Sequence, residues 1–261
     1  GKSVVEVMQR NVDAVLAQRK AMGQPMFPHL NHPNFGWAIT AEELAQVRGE
    51  RFFEVYNGHP QVHNYGDAQR PGTERMWDII LTRRLAELDG GLLYGLAVDD
   101  AHDYHRQDRQ RSNPGRGWVV VRATHLTPEK VIAALEAGDF YASTGVRLRD
   151  VRAEKGRLSI EIDAEPGVTY HTQFIGTRKG YDARSVPVEG VRDADGQPAV
   201  VTRSYSPEIG RVLGEAAGLS PAYTFKNDEI YVRAKVISSK LQQNPYRPGD
   251  TEVAWVQPVR P

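Results

Sequence analysis

The hydrophobic period changes once along these 261 residues, and that change constrains the fold more than any single motif. Before about residue 140, apolar residues recur at helical spacing between short apolar runs. Ser3 to Glu6 reads as a capping box opening a helix, with Val4, Val7, Met8, Val12, Val15 and Leu16 on or near one face, ending toward Gly23. Thr40 to Glu43 repeats the device before Leu44 and Val47. A third helix, begun by Thr73, carries Met76, Trp77, Ile80, Leu81 and Leu85, and a fourth starts at Thr127-Pro128, since proline suits the first helical position. Between them Met26 to Asn31, Phe52 to Tyr56 and Leu92 to Val98 read as buried strands, expected to be neighbours in a parallel barrel segment.

From about Tyr141 the period shortens to two. Val151 to Ile162, Val168 to Ile175, Ala199 to Tyr205 and Ile230 to Ser238 alternate as half-buried strands do, divided by turns such as Glu165-Pro-Gly167 and Asp193-Ala-Asp-Gly196. No long helical pattern intervenes. Residues 147–261 are therefore expected to form a mainly antiparallel β-sandwich, with residues 252–258 as a last strand and Trp255 as core or interdomain packing. Residues 1–146 form the alternating α/β portion.

Charge excludes some partners. With 33 basic and 33 acidic residues the chain has no electrostatic footprint for nucleic acid or an anionic membrane, and no apolar run approaches the roughly 18 residues that span a bilayer. No leader is visible, which leaves cytoplasm and periplasm both open. The absence of cysteine removes disulfides and thiolate ligands, so a bound metal must sit among His, Asp, Glu and water.

Chemistry concentrates at three strand ends. The run Leu92 to Val98 empties into Asp99-Asp-Ala-His-Asp-Tyr-His105, where Asp100 and His102 form an Asp-x-His pair able to close on one cation from an extended segment. Upstream, a short apolar stretch ends at Asn31-His-Pro-Asn34, and a third ends at Glu54-Val-Tyr-Asn-Gly-His59. Carboxyl ends of parallel strands are where α/β folds gather their catalytic groups.

In this order and spacing, His32-Pro33-Asn34, Glu54-Val55-Tyr56-Asn57 and Asp100-Ala101-His102 resemble the later motifs of the polymerase and histidinol phosphatase (PHP) superfamily. The resemblance covers about residues 1–146. It implies the carboxyl-terminal portion of a distorted (β/α)7 barrel that binds two or three divalent metals, Mn, Zn or Fe, and hydrolyses phosphoesters with a metal-activated water. His32, Asp100 and His102 are then the metal ligands, and Glu54 and Asp99 are ligands or acceptors behind them. Asn34, Trp37, Tyr56, Asn57 and His59 would orient a small-molecule or phosphoester substrate, and Arg116, between two turn glycines, would clamp phosphate. The His-x-His pair, the Ser-Asp-Gly-like turn and the further His and Glu that open the family pattern are missing from this chain. The resemblance therefore implies an upstream segment of the same protein that completes the barrel and the site, and an isolated chain with little or no activity.

His29 reads as structural or as an acceptor behind the ligands, His63 and His105 as pocket or surface groups, and His125 and His171 as background. Two other classes compete with a hydrolase. One is a binding protein that acts through its sandwich on a carbohydrate or cell-surface ligand, with Tyr170, Tyr181, Tyr205 and Tyr223 as a contact face. The other is a structural assembly module.

Overall fold

The computed structural model describes residues 1–190, 192, 196 and 202–261. In chain order the elements are α1 (Val4–Met22), α2 (Ala41–Gln46), β1 (Phe52–Asn57), α3 (Thr73–Ala86), β2 (Tyr94–Val98), β3 (Trp118–Val121), α4 (Pro128–Ala137), β4 (Phe140–Ser143), β5 (Leu148–Glu154), β6 (Arg157–Ile162), β7 (Tyr170–Arg178), β8 (Ser185–Pro187), β9 (Arg203–Tyr205), β10 (Arg211–Ala217), β11 (Ala222–Thr224), β12 (Glu229–Leu241) and β13 (Thr251–Val259). No helix among the described residues is long and apolar enough to cross a membrane. The expected turn at 193–196 and the start of the expected strand at 199–205 lie largely outside the described residues.

Local signals set the helix starts. Thr40 makes a complete capping box with Glu43, and Thr127 caps α4 ahead of Pro128. Ser3 makes half of one: its hydroxyl accepts from Glu6 N, while the Glu6 carboxylate turns to Lys2 N. Thr73 does not cap α3. Gly72 holds that place, and the Thr73 hydroxyl donates to Val55 O in β1 instead.

The expected (β/α)7 barrel is not what forms. Only β1 and β2 pair in parallel among the described strands, crossed by α3 and extended by a single bridge between Leu30 and Phe53. The next strands leave that arrangement: β3 and β4 pair antiparallel and enter a six-stranded sheet in the order β10-β7-β12-β13-β4-β3. The reason lies in Phe140–Ser143, which is buried throughout. Such a run reads as a parallel barrel strand, yet the middle of an antiparallel sheet covered on both faces satisfies it equally.

Period-two alternation makes that sheet the central layer. On β12, Tyr231, Arg233 and Lys235 face α3, while Val232, Ala234 and Val236 face the other way. On β13, Val253 and Trp255 share the α3 side and Ala254 and Val256 the opposite one. The first face packs on Met76, Trp77, Ile79, Ile80 and Leu81 of α3 and on Phe53 and Val55 of β1. The second shares a core with Leu158, Ile160 and Ile162 of a three-stranded antiparallel sheet, β11-β6-β5. Between residues 150 and 205 no described segment forms a helix.

Candidate metal centre

Two positions with left-handed backbone mark the ends of the candidate strands: His32 at φ 21° and Asp100 at φ 50°. A non-glycine residue holds such a conformation only where its surroundings fix it. At Asp100 the fixing groups are visible. Its carbonyl accepts from the Ser112 hydroxyl and from His102 Nδ1 at 2.7 Å, and its Oδ2 accepts from Asn57 Nδ2 at 3.2 Å. The loop behind is closed by paired bonds from His102 N and Asp103 N to Ser112 O.

The carbonyl contact decides the His102 tautomer. A proton on Nδ1 is required to meet an acceptor, so Nε2 keeps its lone pair on a ring that is mostly exposed. The Asp100 Oδ1 atom stands 3.7 Å from the same Nδ1, too far for a hydrogen bond, which leaves that oxygen uncommitted.

Glu54 organises rather than projects. Its side chain is buried, and its oxygens accept from His32 N at 2.6 Å and Asn57 Nδ2 at 2.8 Å, with His29 Nε2 at 3.3 Å. Asn57 thus bridges the two carboxylates, and its own backbone is held by a reciprocal pair of bonds with the Asn64 amide. His59 follows, its N–H donating to Asn57 Oδ1 at 2.7 Å and its ring lying 5.8 Å from that of His102. Burial lowers the His59 pKa, against the opposing pull of Asp100, and Nδ1 accepts from Gln61 N. The neutral ring therefore carries its proton on Nε2.

Asp100, His102, Asn57, Glu54 and His59 are brought together in one network. His32 joins it through its backbone, with its ring packed 5.2 Å from Phe35, which in turn meets His59. Among the described residues no three His, Asp or Glu side chains are drawn close enough to hold a metal ion as they stand.

Five expected residues do other work. Asp99 accepts from the backbone N–H groups of Gly115, Arg116 and Gly117, a fold of the 115–117 turn around its carboxylate that occupies both oxygens. Arg116 is no exposed clamp: it is fully buried, donates to Gly58 O and Asp108 O and reaches Asn244 Oδ1, because three loops converge on its guanidinium. Tyr56 is buried against Trp255, 5.6 Å between rings, and points away from the cluster. Asn34 is buried and ties His63 O to Pro71 O. Trp37 stacks on His63 at 4.3 Å with the Arg70 guanidinium on its ring at 3.9 Å, a packed stack that burial and Arg70 accompany with a lowered His63 pKa.

The sequence reading missed Ser112 and Asn64. Hydroxyl and amide residues in polar loops carry no periodic signal, so only the fold reveals that they pin Asp100 and Asn57. The tyrosines expected as a contact face are also placed elsewhere: Tyr170 and Tyr223 are buried, and Tyr181 and Tyr205 pack against the α3-side core.

No protein-family model, no curated protein and no solved structure matches this chain.

Proposed function

We propose that Asp100 and His102, steadied by Asn57 and Glu54, form part of a divalent-cation site in a hydrolase that acts on phosphoesters. The observation that carries this reading is the Asp100–His102 pair at the end of β2: His102 Nδ1 is held on the Asp100 carbonyl at 2.7 Å, which leaves Nε2 free on an exposed ring, and Asp100 Oδ1 stands outside hydrogen-bond reach of that ring. The support is in the donor chemistry. An oxygen and nitrogen donor set without thiolate suits Mn²⁺, Zn²⁺ or Fe²⁺. The order of the three motifs, similar to that of the PHP superfamily, favours phosphoesters over other substrates.

A bound divalent cation would supply Lewis acidity toward a phosphoryl oxygen and make water acidic enough to attack near neutral pH. The chain's own residues do the rest. Asn57 holds the Asp100 carboxylate in place, the Glu54 carboxylate fixes the His32 backbone, and His59 presents an Nε2–H that suits an anionic substrate oxygen.

Titration with Mn²⁺, followed by electron paramagnetic resonance, tests the site directly. Saturable binding should weaken at least tenfold in Asp100→Ala and in His102→Ala, and hydrolysis of an aryl phosphate, where present, should depend on Mn²⁺ and stop on chelation. Equal Mn²⁺ binding by the parent chain and both variants would overturn the reading.

A further inference from the structure

The buried Arg116 guanidinium joins the two loops that carry the candidate site. Nη1 donates to Gly58 O at 2.7 Å, between Asn57 and His59, and Nη2 donates to Asp108 O at 3.0 Å, in the loop that carries Asp100 and His102. Nη2 also reaches Asn244 Oδ1 at 3.2 Å, in the connection between β12 and β13. Resting on the reading of this site as a cation site, we propose that Arg116 is its positioning residue: one guanidinium fixes the distance between His59 on one loop and the Asp100–His102 pair on the other.

Both loops are stiff enough for a contact at Arg116 to reach the site. Gly58 N donates to Val98 O at 2.9 Å, and a Cβ at Gly58 would stand 2.8 Å from Arg116 Cβ and 2.9 Å from Asp99 O, so the close approach needs glycine. The Arg116 backbone is itself held by the carboxylate of Asp99, the residue before Asp100. Inside the second loop the fully buried Asn113 donates to Asp103 O and Arg106 O, both at 2.8 Å, and accepts from Asp108 N at 2.8 Å. The loop from Asp100 to Arg116 is therefore closed on itself, braced within by Asn113 and at its base by Arg116. A shift at Asp108 passes through Asn113 to Asp103, the neighbour of His102.

Stability alone does not account for an arginine here. All three acceptors are uncharged, and Nε has no partner in the fold. Burying a guanidinium without a bonded carboxylate is costly, and an apolar side chain of similar size would serve packing as well. What arginine adds is a planar fork whose donors point in fixed, separate directions, whereas a lysine ammonium is a single nitrogen. A site assembled from two loops needs their spacing held within about 0.5 Å, and the His59 and His102 rings that meet across this gap lie 5.8 Å apart.

The test pairs Mn²⁺ binding, followed by electron paramagnetic resonance, with NMR of the metal-free chain. Arg116→Met keeps a long side chain and removes the donors. Mn²⁺ affinity should fall about tenfold, the amides of His102 and Asp103, now bonded to Ser112 O, should exchange about tenfold faster, and the contact between the His59 and His102 rings should disappear. Arg116→Lys should recover part of the affinity. Gly58→Ala crowds the same junction with Arg116 intact, so it should act in the same direction, and it serves should Arg116→Met fail to fold. Gly210→Ala is the control: its Cβ would meet Asp78 of α3 and neither loop, so it should lower the melting temperature and leave Mn²⁺ affinity within about twofold. Unchanged exchange and an intact ring contact in both Arg116→Met and Gly58→Ala would overturn the proposal, as would an equal loss of affinity in Gly210→Ala. A parent chain that binds no Mn²⁺ overturns the cation reading instead, and exchange and ring contact then decide the role of Arg116 by themselves.

Discussion

Arg233 of β12 grips Asp78 of α3 through two parallel hydrogen bonds, Nε to Oδ1 at 2.8 Å and Nη2 to Oδ2 at 2.7 Å, and both side chains are buried. Tyr231 adds a third bond to Oδ1 at 2.7 Å, and the guanidinium lies 4.8 Å from the Trp77 ring. Removing one partner of such a pair leaves the other charge buried and unmatched. Asp78→Ala should therefore lower stability by about 3–5 kcal/mol, measured by urea denaturation. A loss below 1 kcal/mol would mean that the pair is hydrated and contributes little to holding α3 on the sheet.

Gly210 reports on the same contact from outside. It sits at φ +64°, and a Cβ there would come within 2.4 Å of the Asp78 side chain. Gly210→Ala should cost about 2–4 kcal/mol from crowding and left-handed strain together. In the double variant with Asp78→Ala the two losses should sum to less than their separate values, because the alanine at 78 frees the space. Additive losses would show that Gly210 matters for its backbone alone.

Stability should fall with pH because of Glu50. Burial pushes its carboxyl up to about 7 from the ordinary 4.5, against backbone bonds from Phe52 and Arg51 that pull it down. The unfolded chain ionises first, so the contribution is complete below pH 4.5, is lost as pH climbs to about 7, and levels off above that. At roughly 1.4 kcal/mol per pH unit the loss comes to about 3 kcal/mol. Glu50→Gln keeps the acceptor for Phe52 N and should reduce that loss in denaturation curves compared between pH 5 and pH 8. Parallel curves for the two proteins would remove Glu50 as the cause.

At Asp100 charge and backbone can be separated. Asparagine tolerates the left-handed region, so Asp100→Asn should fold with the parent melting temperature while Mn²⁺ affinity drops at least tenfold. Asp100→Val, β-branched at φ 50°, should lose about 1–3 kcal/mol as well. Unfolding of the asparagine variant would assign the carboxylate a structural role.

How much of this was legible in the chain varies by element. Thr40, Thr127 and Pro128 announce their helices because capping is a local interaction, and Tyr94–Val98 ends where its apolar run ends. The pairing of Phe140–Ser143 was not legible, since a four-residue apolar run carries no direction. Arg233 and Lys235 look like solvent-facing positions of an alternating strand; they face inward because Glu74 and Asp78 sit on a helix 155–161 residues away. At the candidate site the gathering of polar groups at the end of β2 could be read, but the division of labour between Asp99 and Asp100 could not. Adjacent carboxylates look alike until the 115–117 turn closes on one of them.

Gln257 of β13 meets Gly95 of β2 with both ends of its amide, accepting from N at 2.9 Å and donating to O at 2.8 Å, as a neighbouring strand would. The two residues are 162 positions apart. At a synthesis rate of about 5–20 residues per second, β2 leaves the ribosome roughly 8–30 seconds before the residue that completes its edge. The edge of the strand that leads to Asp100 and His102 is thus completed only once residue 257 has been made, and a premature stop anywhere before Gln257 removes that support without touching a single residue of the candidate site.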